Sequence, residues 1–421
     1  MRVQRSIFEG IDWIMVGLFL ILVLMGWVNI YAAVYNEEHQ SILDASQRYG
    51  KQLFWIILSV FIGLVILLID GKFYSTFAFP IYILNIILLA VVLVTARDVA
   101  GARSWIDIGP FKLQPSEFAK SATALALAAY LSTLNIRMDE LKTKLVAGII
   151  LAIPAALILL QNDTGSMLVF GAFALVMYRE GLSGNILLFG LATVVLFIFA
   201  LLFTPVTMLV ILASTGLLIF IFQRKKTWKL GISLAGALVI LMGFVYSVDY
   251  IFNEVLEPHQ QVRINVLLGK EDDPKGAGYN VNQSKIAIGS GGFAGKGFLK
   301  GTQTKYDFVP EQTTDFIFCT VGEEWGFLGA FVVIALFAAL ILRVIYISER
   351  QRSAFTRIYG YSVASILLFH FVINIGMTIG LMPVIGIPLP FFSYGGSSLL
   401  GFTILLFIFI KLDGYRLQQL R

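Results

Sequence analysis

Ionisable residues set into long apolar runs are the part of this sequence that could do chemistry, because charge in a nonpolar environment is costly and marks function. Glu117 and Lys120 follow Gln114-Pro-Ser. On a helix that opens at Pro115 they share one face, about a turn inside its start. Asp163 stands in Gln161-Asn-Asp-Thr-Gly165, at a break between two apolar runs. Asp315 stands in Val309-Pro-Glu-Gln-Thr-Thr-Asp-Phe-Ile-Phe318, where a long polar segment re-enters apolar sequence, and Glu323 and Glu324 follow it. A glycine-rich run, Ile288-Gly-Ser-Gly-Gly-Phe-Ala-Gly-Lys-Gly297, lacks the Ser or Thr of a phosphate-binding P-loop and reads as a turn-forming loop. Each acid has a plainer alternative: an ion pair holding helices together for Glu117–Lys120, and helix caps for Asp163 and Asp315. Trp105, in Gly101-Ala-Arg-Ser-Trp-Ile-Asp-Ile-Gly109, reads equally as an interfacial belt residue.

Membrane helices must position these groups. The 421 residues are 58% hydrophobic and 14% charged, far more apolar than a soluble domain can bury. That excludes a soluble enzyme, a nucleic-acid binder and a secreted disulfide scaffold, and the single Cys319 allows no internal disulfide. The formal charge of +5 needs no nucleic-acid partner, since basic residues gather on cytoplasmic loops. Apolar runs of spanning length recur near 11–35, 51–69, 73–95, 115–134, 144–160, 163–178, 186–203, 206–222, 230–248, 326–347, 358–381 and 391–411. The expected fold is an all-α polytopic integral membrane protein with about twelve spans. Burying Glu323 and Glu324 in lipid would be costly, so a short helix at 315–325 is expected before the span from 326. The bias of Lys and Arg places both termini in the cytoplasm and residues 250–314 outside, as an ordered cap with some helix and tight turns. Arg48, Trp105, Glu117, Lys120, Asp163 and Asp315 then all fall toward the outer face. They are expected to line one mixed-charge cavity for an anionic or polyhydroxylated ligand, open sideways to lipid.

The chain resembles the SEDS family of cell-wall polymerases, and within it the RodA branch. The resemblance rests on Trp105-Ile-Asp-Ile-Gly109 with Gln114-Pro-Ser-Glu117, on Asp163-Thr-Gly165, on Gly276-Ala-Gly-Tyr279 and on Gln283-Ser-Lys-Ile-Ala-Ile-Gly289. It continues through Gly301-Thr-Gln303, Pro310-Glu-Gln-Thr-Thr-Asp-Phe-Ile-Phe318 and Pro388-Leu-Pro-Phe-Phe-Ser-Tyr-Gly-Gly-Ser-Ser398. These motifs run in order along one membrane domain, 1–421. The family core has fewer spans, so an inserted helix pair is expected within 183–227. Asn162 stands where the family commonly has Pro, and Thr313 where His is frequent.

The resemblance implies a bacterial cytoplasmic (inner) membrane enzyme of cell elongation. It would polymerise lipid II, the undecaprenyl-linked disaccharide peptide, beside a class B penicillin-binding protein that supplies transpeptidation. Asp315 matches the family's essential aspartate and Trp105 a required tryptophan, while Arg48, Glu117, Lys120 and Asp163 match polar cavity residues. Asp315 is then the candidate base for the attacking sugar hydroxyl. Lys120, Arg48 or Arg103 would face the departing undecaprenyl pyrophosphate, alone or with a divalent cation, magnesium or manganese. Glu311 or Glu323 would raise the basicity of Asp315 as a neighbouring acid. The rival reading is a lipid II flippase, which would need alternating access and commonly internal repeats.

Overall fold

In a computed structural model the chain is a helical membrane protein, described here over residues 10–35, 41–96, 103–109, 111–134, 136–223, 227–256, 261–262, 264–265, 277–305 and 308–416. The helices are α1 (Trp13–Ala33), α2 (Arg48–Leu68), α3 (Gly71–Thr76), α4 (Ala78–Thr95), α5 (Pro115–Leu131), α6 (Leu141–Leu160), α7 (Thr164–Leu168) and α8 (Phe173–Arg179). Then follow α9 (Gly184–Leu202), α10 (Pro205–Phe222), α11 (Trp228–Tyr250), α12 (Ala277–Ser290), α13 (Ile317–Glu349), α14 (Ala354–Thr378) and α15 (Gly396–Tyr415). Ten helices among the described residues are long and apolar enough to cross a membrane. The other two expected stretches are also helical. One is α5, whose 17 residues are rich in Ala, Ser and Thr and let neighbours approach closely. The other is the shorter 164–179 segment, where a 3₁₀ turn, Val169–Ala172, separates α7 from α8.

Three expected spans have different limits. The 73–95 stretch breaks at Phe77, because Asp70 caps a separate short helix before it. The 163–178 stretch is divided by its 3₁₀ turn. The last span begins only at Gly396, since Pro388 and Pro390 interrupt helix and residues 390–394 form turns and bends. The expected break at the end of the 315–325 helix is present: α13 kinks at Gly326, whose φ of 64° and ψ of −158° suit only glycine. A Cβ there would also run into the backbone of Gly295. Between the expected spans 73–95 and 115–134 lies an antiparallel hairpin, β1 (Ile106–Ile108) with β2 (Phe111–Leu113), in which Asp107 faces Lys112. In the expected cap, α12 and a run of turns to Lys305 are helix and turns as anticipated; residues 266–276, including Gly276 of one motif, lie outside the described residues.

The chain divides into two compact units, Met1–Leu182 with Tyr279–Arg421, and Ser183–Gly278. Ser183 is also where the expected inserted pair begins. In the first unit α15 and α14 lie innermost, walled by α1, α2, α5 and α13 around a core that includes Phe19, Phe337, Tyr359, Phe402 and Phe409. One end of this unit is basic and ion-paired: Arg343 to Asp12 at 2.6 Å, Arg350 to Asp413 at 2.6 Å, Arg357 to Glu180 at 2.9 Å and Arg179 to Glu349 at 2.9 Å. Chain direction puts the starts of α2, α5, α7 and α13 at the opposite end, with the hairpin. The second unit packs α9, α10 and α11 around Ala200, Leu201, Met208, Val245 and Val248.

Candidate active site

The site is built from the starts of α2, α5, α7 and α13, and from the loop between α14 and α15. Pro115 opens α5, so Glu117 and Lys120 stand one turn apart and pair at 2.8 Å, only 3% and 2% exposed. The i,i+3 pair is therefore a buried ion pair. Its ammonium also lies 3.2 Å from His370 Nε2 and 4.4 Å from the centroid of Phe402. A buried charge is tolerated when paired and hydrogen-bonded, and Lys120 meets that condition without solvent.

Asp163 caps α7, accepting from the Ser166 amide at 3.0 Å. Its other oxygen accepts from Gln114 Nε2 at 2.9 Å and from Ser116 Oγ at 3.3 Å. The cap thus ties the Gln-Pro-Ser-Glu motif to the Asp-Thr-Gly motif. Gly165 completes the junction, because a Cβ there would collide with the Ile385 carbonyl oxygen. Asn162 has φ 59°, a left-handed value open to Asn and closed to Pro.

Asp315 is half-exposed on a turn just before α13. The turn is gripped from several elements. Arg48, the first residue of α2, donates to Thr313 Oγ1 at 2.7 Å. The Tyr394 amide donates to the Thr313 carbonyl at 2.8 Å, and Ser393 Oγ to the Thr314 carbonyl at 2.6 Å. Gln312 donates to the Ala33 and Thr304 carbonyls at 2.8 Å each. Asn374 on α14 donates to the Asp315 carbonyl at 2.9 Å. Burial pushes the Tyr394 phenol up, and the nearby Arg48 guanidinium opposes this. Glu311 opens the turn with φ 55° and Phe391 lies in the facing loop with φ 65°, so unusual backbone gathers around Asp315.

The remaining candidates are placed as follows. Arg103 is exposed, and its amide donates to the Gln161 carbonyl at 2.9 Å, beside the Asp163 turn. Trp105 is half-exposed at the entry to β1. Ser397 joins the hairpin to the last loop: it accepts from the Gln114 amide and donates to the Lys112 carbonyl, both at 3.1 Å. Glu323 is fully buried and serves the cap. It accepts from Lys296 Nζ at 2.6 Å, from the amides of Thr302, Gln303 and Thr304 at 2.8–2.9 Å, and from the Thr304 hydroxyl at 2.9 Å. Its oxygens are committed to the Gly301-Thr-Gln303 motif and Thr304, and the Thr304 carbonyl in turn accepts from Gln312 of the Asp315 turn.

Sequence reasoning passed over His370, Asn374 and Gln52, whose Oε1 accepts from the Gly395 amide at 3.2 Å. His370 and Asn374 carried a signal, two polar residues at i and i+4 within the apolar run 358–381. No group of three or more His, Cys, Asp or Glu among the described residues is placed to hold a metal ion.

The chain matches the FtsW/RodA/SpoVE family, described as cell cycle proteins, over residues 12–215 and 182–418. It is 34% identical over 411 residues to the peptidoglycan glycosyltransferase RodA of Treponema pallidum (strain Nichols), covering 92% of this chain and 94% of that protein. It is 33% identical over 383 residues to the peptidoglycan glycosyltransferase MrdB of Escherichia coli (strain K12), covering 90% and 89%. Among solved structures, a chain from a peptidoglycan synthase complex that coordinates polymerization and crosslinking superposes with a TM-score of 0.71 at 27% identity, over 98% of this chain and 100% of that one. The rod shape determining protein RodA of Thermus thermophilus gives 0.63 at 24% identity, over 98% and 99%, a likeness of fold. Matched by the family model from residue 12 to residue 418 and 34% identical to one relative over 92% of its length, the chain belongs to the FtsW/RodA/SpoVE family.

Proposed function

We infer that the chain is a peptidoglycan glycosyltransferase of cell elongation that polymerises lipid II, with Asp315 as general base. The GlcNAc 4-hydroxyl of one lipid II attacks C1 of the MurNAc at the end of the growing strand. The C1–O bond to undecaprenyl pyrophosphate breaks, a C1–O4 bond forms, and the hydroxyl proton passes to the Asp315 carboxylate. A sugar hydroxyl is a weak nucleophile, so a carboxylate within hydrogen-bond reach speeds the step. The observation that carries the assignment is the contrast among the acids. Asp315 is half-exposed on a turn held from several elements, whereas Glu117 and Glu323 are buried in ion pairs and Asp163 caps a helix.

Arg48 and Arg103, both exposed, are the cations offered to the pyrophosphate in this reading, and Trp105 borders the same end. Lys120, considered for that role from sequence, is buried against Glu117, His370 and Phe402 and acts here by holding α5 to α14 and α15. Among the described residues Glu117 is committed to Lys120 and Asp163 to three donors, so neither is free to hold a magnesium or manganese ion as it stands. No step is assigned to it. The Lys and Arg bias assigns the basic, ion-paired end to the cytoplasm and the hairpin end to the outside. A class B penicillin-binding protein is the partner for crosslinking, a reading supported by the synthase-complex neighbour.

The deciding experiment is polymerisation of purified lipid II by the purified chain with its transpeptidase. Asp315→Asn keeps the size and removes the basic oxygen, so the rate should fall by about 10²–10⁴-fold with partner binding unchanged. Full-length glycan at the wild-type rate from this variant would remove Asp315 as the base. Loss of lipid translocation with intact polymerisation would favour the flippase.

A further inference from the structure

One buried side chain holds the Asp315 turn by its backbone. Asn374 on α14, with no exposed surface, donates from Nδ2 to the Asp315 carbonyl at 2.9 Å and to the Ile387 carbonyl at 2.7 Å. Both N–H groups of the amide are thereby used, and few side chains offer two donors from one atom. The amide oxygen has no hydrogen-bond partner among the described residues. The amide thus satisfies two carbonyls at once while its own oxygen goes unpaired.

His370 stands one turn earlier on the same face of α14. Its Nδ1 lies 3.1 Å from the Pro388 carbonyl and its Nε2 3.2 Å from Lys120 Nζ. A carbonyl only accepts, so Nδ1 carries the ring proton and Nε2 accepts from the ammonium. Ile387 and Pro388 are consecutive. Two adjacent rungs on one helix therefore pin one loop segment, the first reaching the Asp315 turn and the second the Lys120–Glu117 pair. Gly386, next in the segment, approaches closely enough that a Cβ would lie 3.5 Å from Asp315 Oδ2.

We propose that Asn374 is a positioning residue for Asp315: its forked donation fixes the carboxylate-bearing turn against Ile385–Pro388 and so sets where the base meets the sugar hydroxyl. The proposal rests on Asp315 being the base. Asn374 touches no reacting atom, and its removal shifts the base without changing the groups that bind substrate.

The test compares Asn374→Leu, Asn374→Asp and Asp315→Asn in the full-length chain with its transpeptidase, using lipid II as substrate. Asn374→Leu should lower kcat by about 10²-fold, the scale of a small misplacement of a reacting group, with KM little changed. Asn374→Asp keeps the shape. Ionised, it offers two carbonyls no donor; protonated, it regains one. Its rate relative to wild type at the same pH should therefore rise as pH falls, which packing alone would not produce. Wild-type kcat from a folded Asn374→Leu, a loss confined to KM, or a flat Asn374→Asp ratio would overturn the proposal. Should the leucine variant not fold, the isosteric aspartate decides. A fully active Asp315→Asn would fail the base assignment itself; an inactive Asp315→Asn beside wild-type Asn374 variants would fail only the positioning role.

Discussion

Lys120 shows how a single residue's meaning depends on its neighbours. An intramembrane lysine beside a glutamate suits a pyrophosphate site, yet its ammonium is engaged by Glu117, His370 and Phe402. Lys120→Met would leave Glu117 buried without its partner, a loss of about 3–5 kcal/mol for a buried pair broken on one side. Thermal unfolding in detergent should show it, with activity falling in parallel. Adding Glu117→Gln should restore most of the stability, since a neutral amide needs no counter-charge. Failure of the double variant to recover would mean that Lys120 acts other than as a counter-ion. Glu323 is a second case. From sequence it is a candidate neighbour for the Asp315 carboxyl, but its oxygens collect the amides of Thr302, Gln303 and Thr304. Glu323→Gln should speed hydrogen exchange at those three amides first, because a neutral acceptor holds them less strongly than a carboxylate. Unchanged exchange there would refute an anchoring role.

At the scale of elements, two backbone positions control how helices enter the site. Gly326 lets the helix bearing Glu323 end and the span begin within one unbroken run. Gly326→Ala should cost about 1–3 kcal/mol from its backbone conformation alone, before any collision with Gly295. Asn162 makes the opposite point about resemblance. Pro is common in the family before this aspartate, but φ 59° and the amide's bond to the Leu159 carbonyl at 3.0 Å both forbid it here. Asn162→Pro should therefore destabilise by more than about 1 kcal/mol, where a change toward the family's usual residue would ordinarily be neutral or helpful. An unchanged midpoint of unfolding would show that the turn re-forms around proline. The hairpin is a third element that local sequence signals understated. Its strands are three residues each, too short for an alternating pattern, and it is tied down through Ser397 from the far end of the chain.

For the molecule as a whole, orientation is the property most open to direct test. In a Cys319→Ser background, a cysteine at Asp107 in the hairpin should react with an impermeant thiol reagent in intact spheroplasts. One at Arg137, between α5 and α6, should react only after permeabilisation. Arg137 pairs with Asp139 at an exposed site, so its replacement should perturb little. Equal labelling at both positions would reverse or refute the assigned topology. The division into two units sharpens the contrast between the two parts of the chain. The segment Met1–Leu182 with Tyr279–Arg421 contains every candidate residue, whereas α9 and α10 of Ser183–Gly278 have few buried residues and no charged side chain in their spans.

Composition and hydropathy alone determined the class, because so apolar a chain has no stable state outside a membrane, and the length of each run measured the bilayer. Glu117 with Lys120, Asp163 and Asp315 were legible as well, since charge within apolar sequence is conspicuous and Pro115 announces where a helix starts. The kink at Gly326 was legible for the same reason, two glutamates that lipid would not accept. What remained hidden were contacts between residues far apart in the chain. His370 meets Lys120 across 250 positions, and Asn374 meets Asp315 across 59. No local pattern encodes such pairs, because they exist only once α5, α13 and α14 are packed together. Tertiary structure therefore decided which of these charges hold the fold, Glu117 and Lys120 against each other and Asp163 at the start of α7, and it set Asp315 on a turn held from several elements.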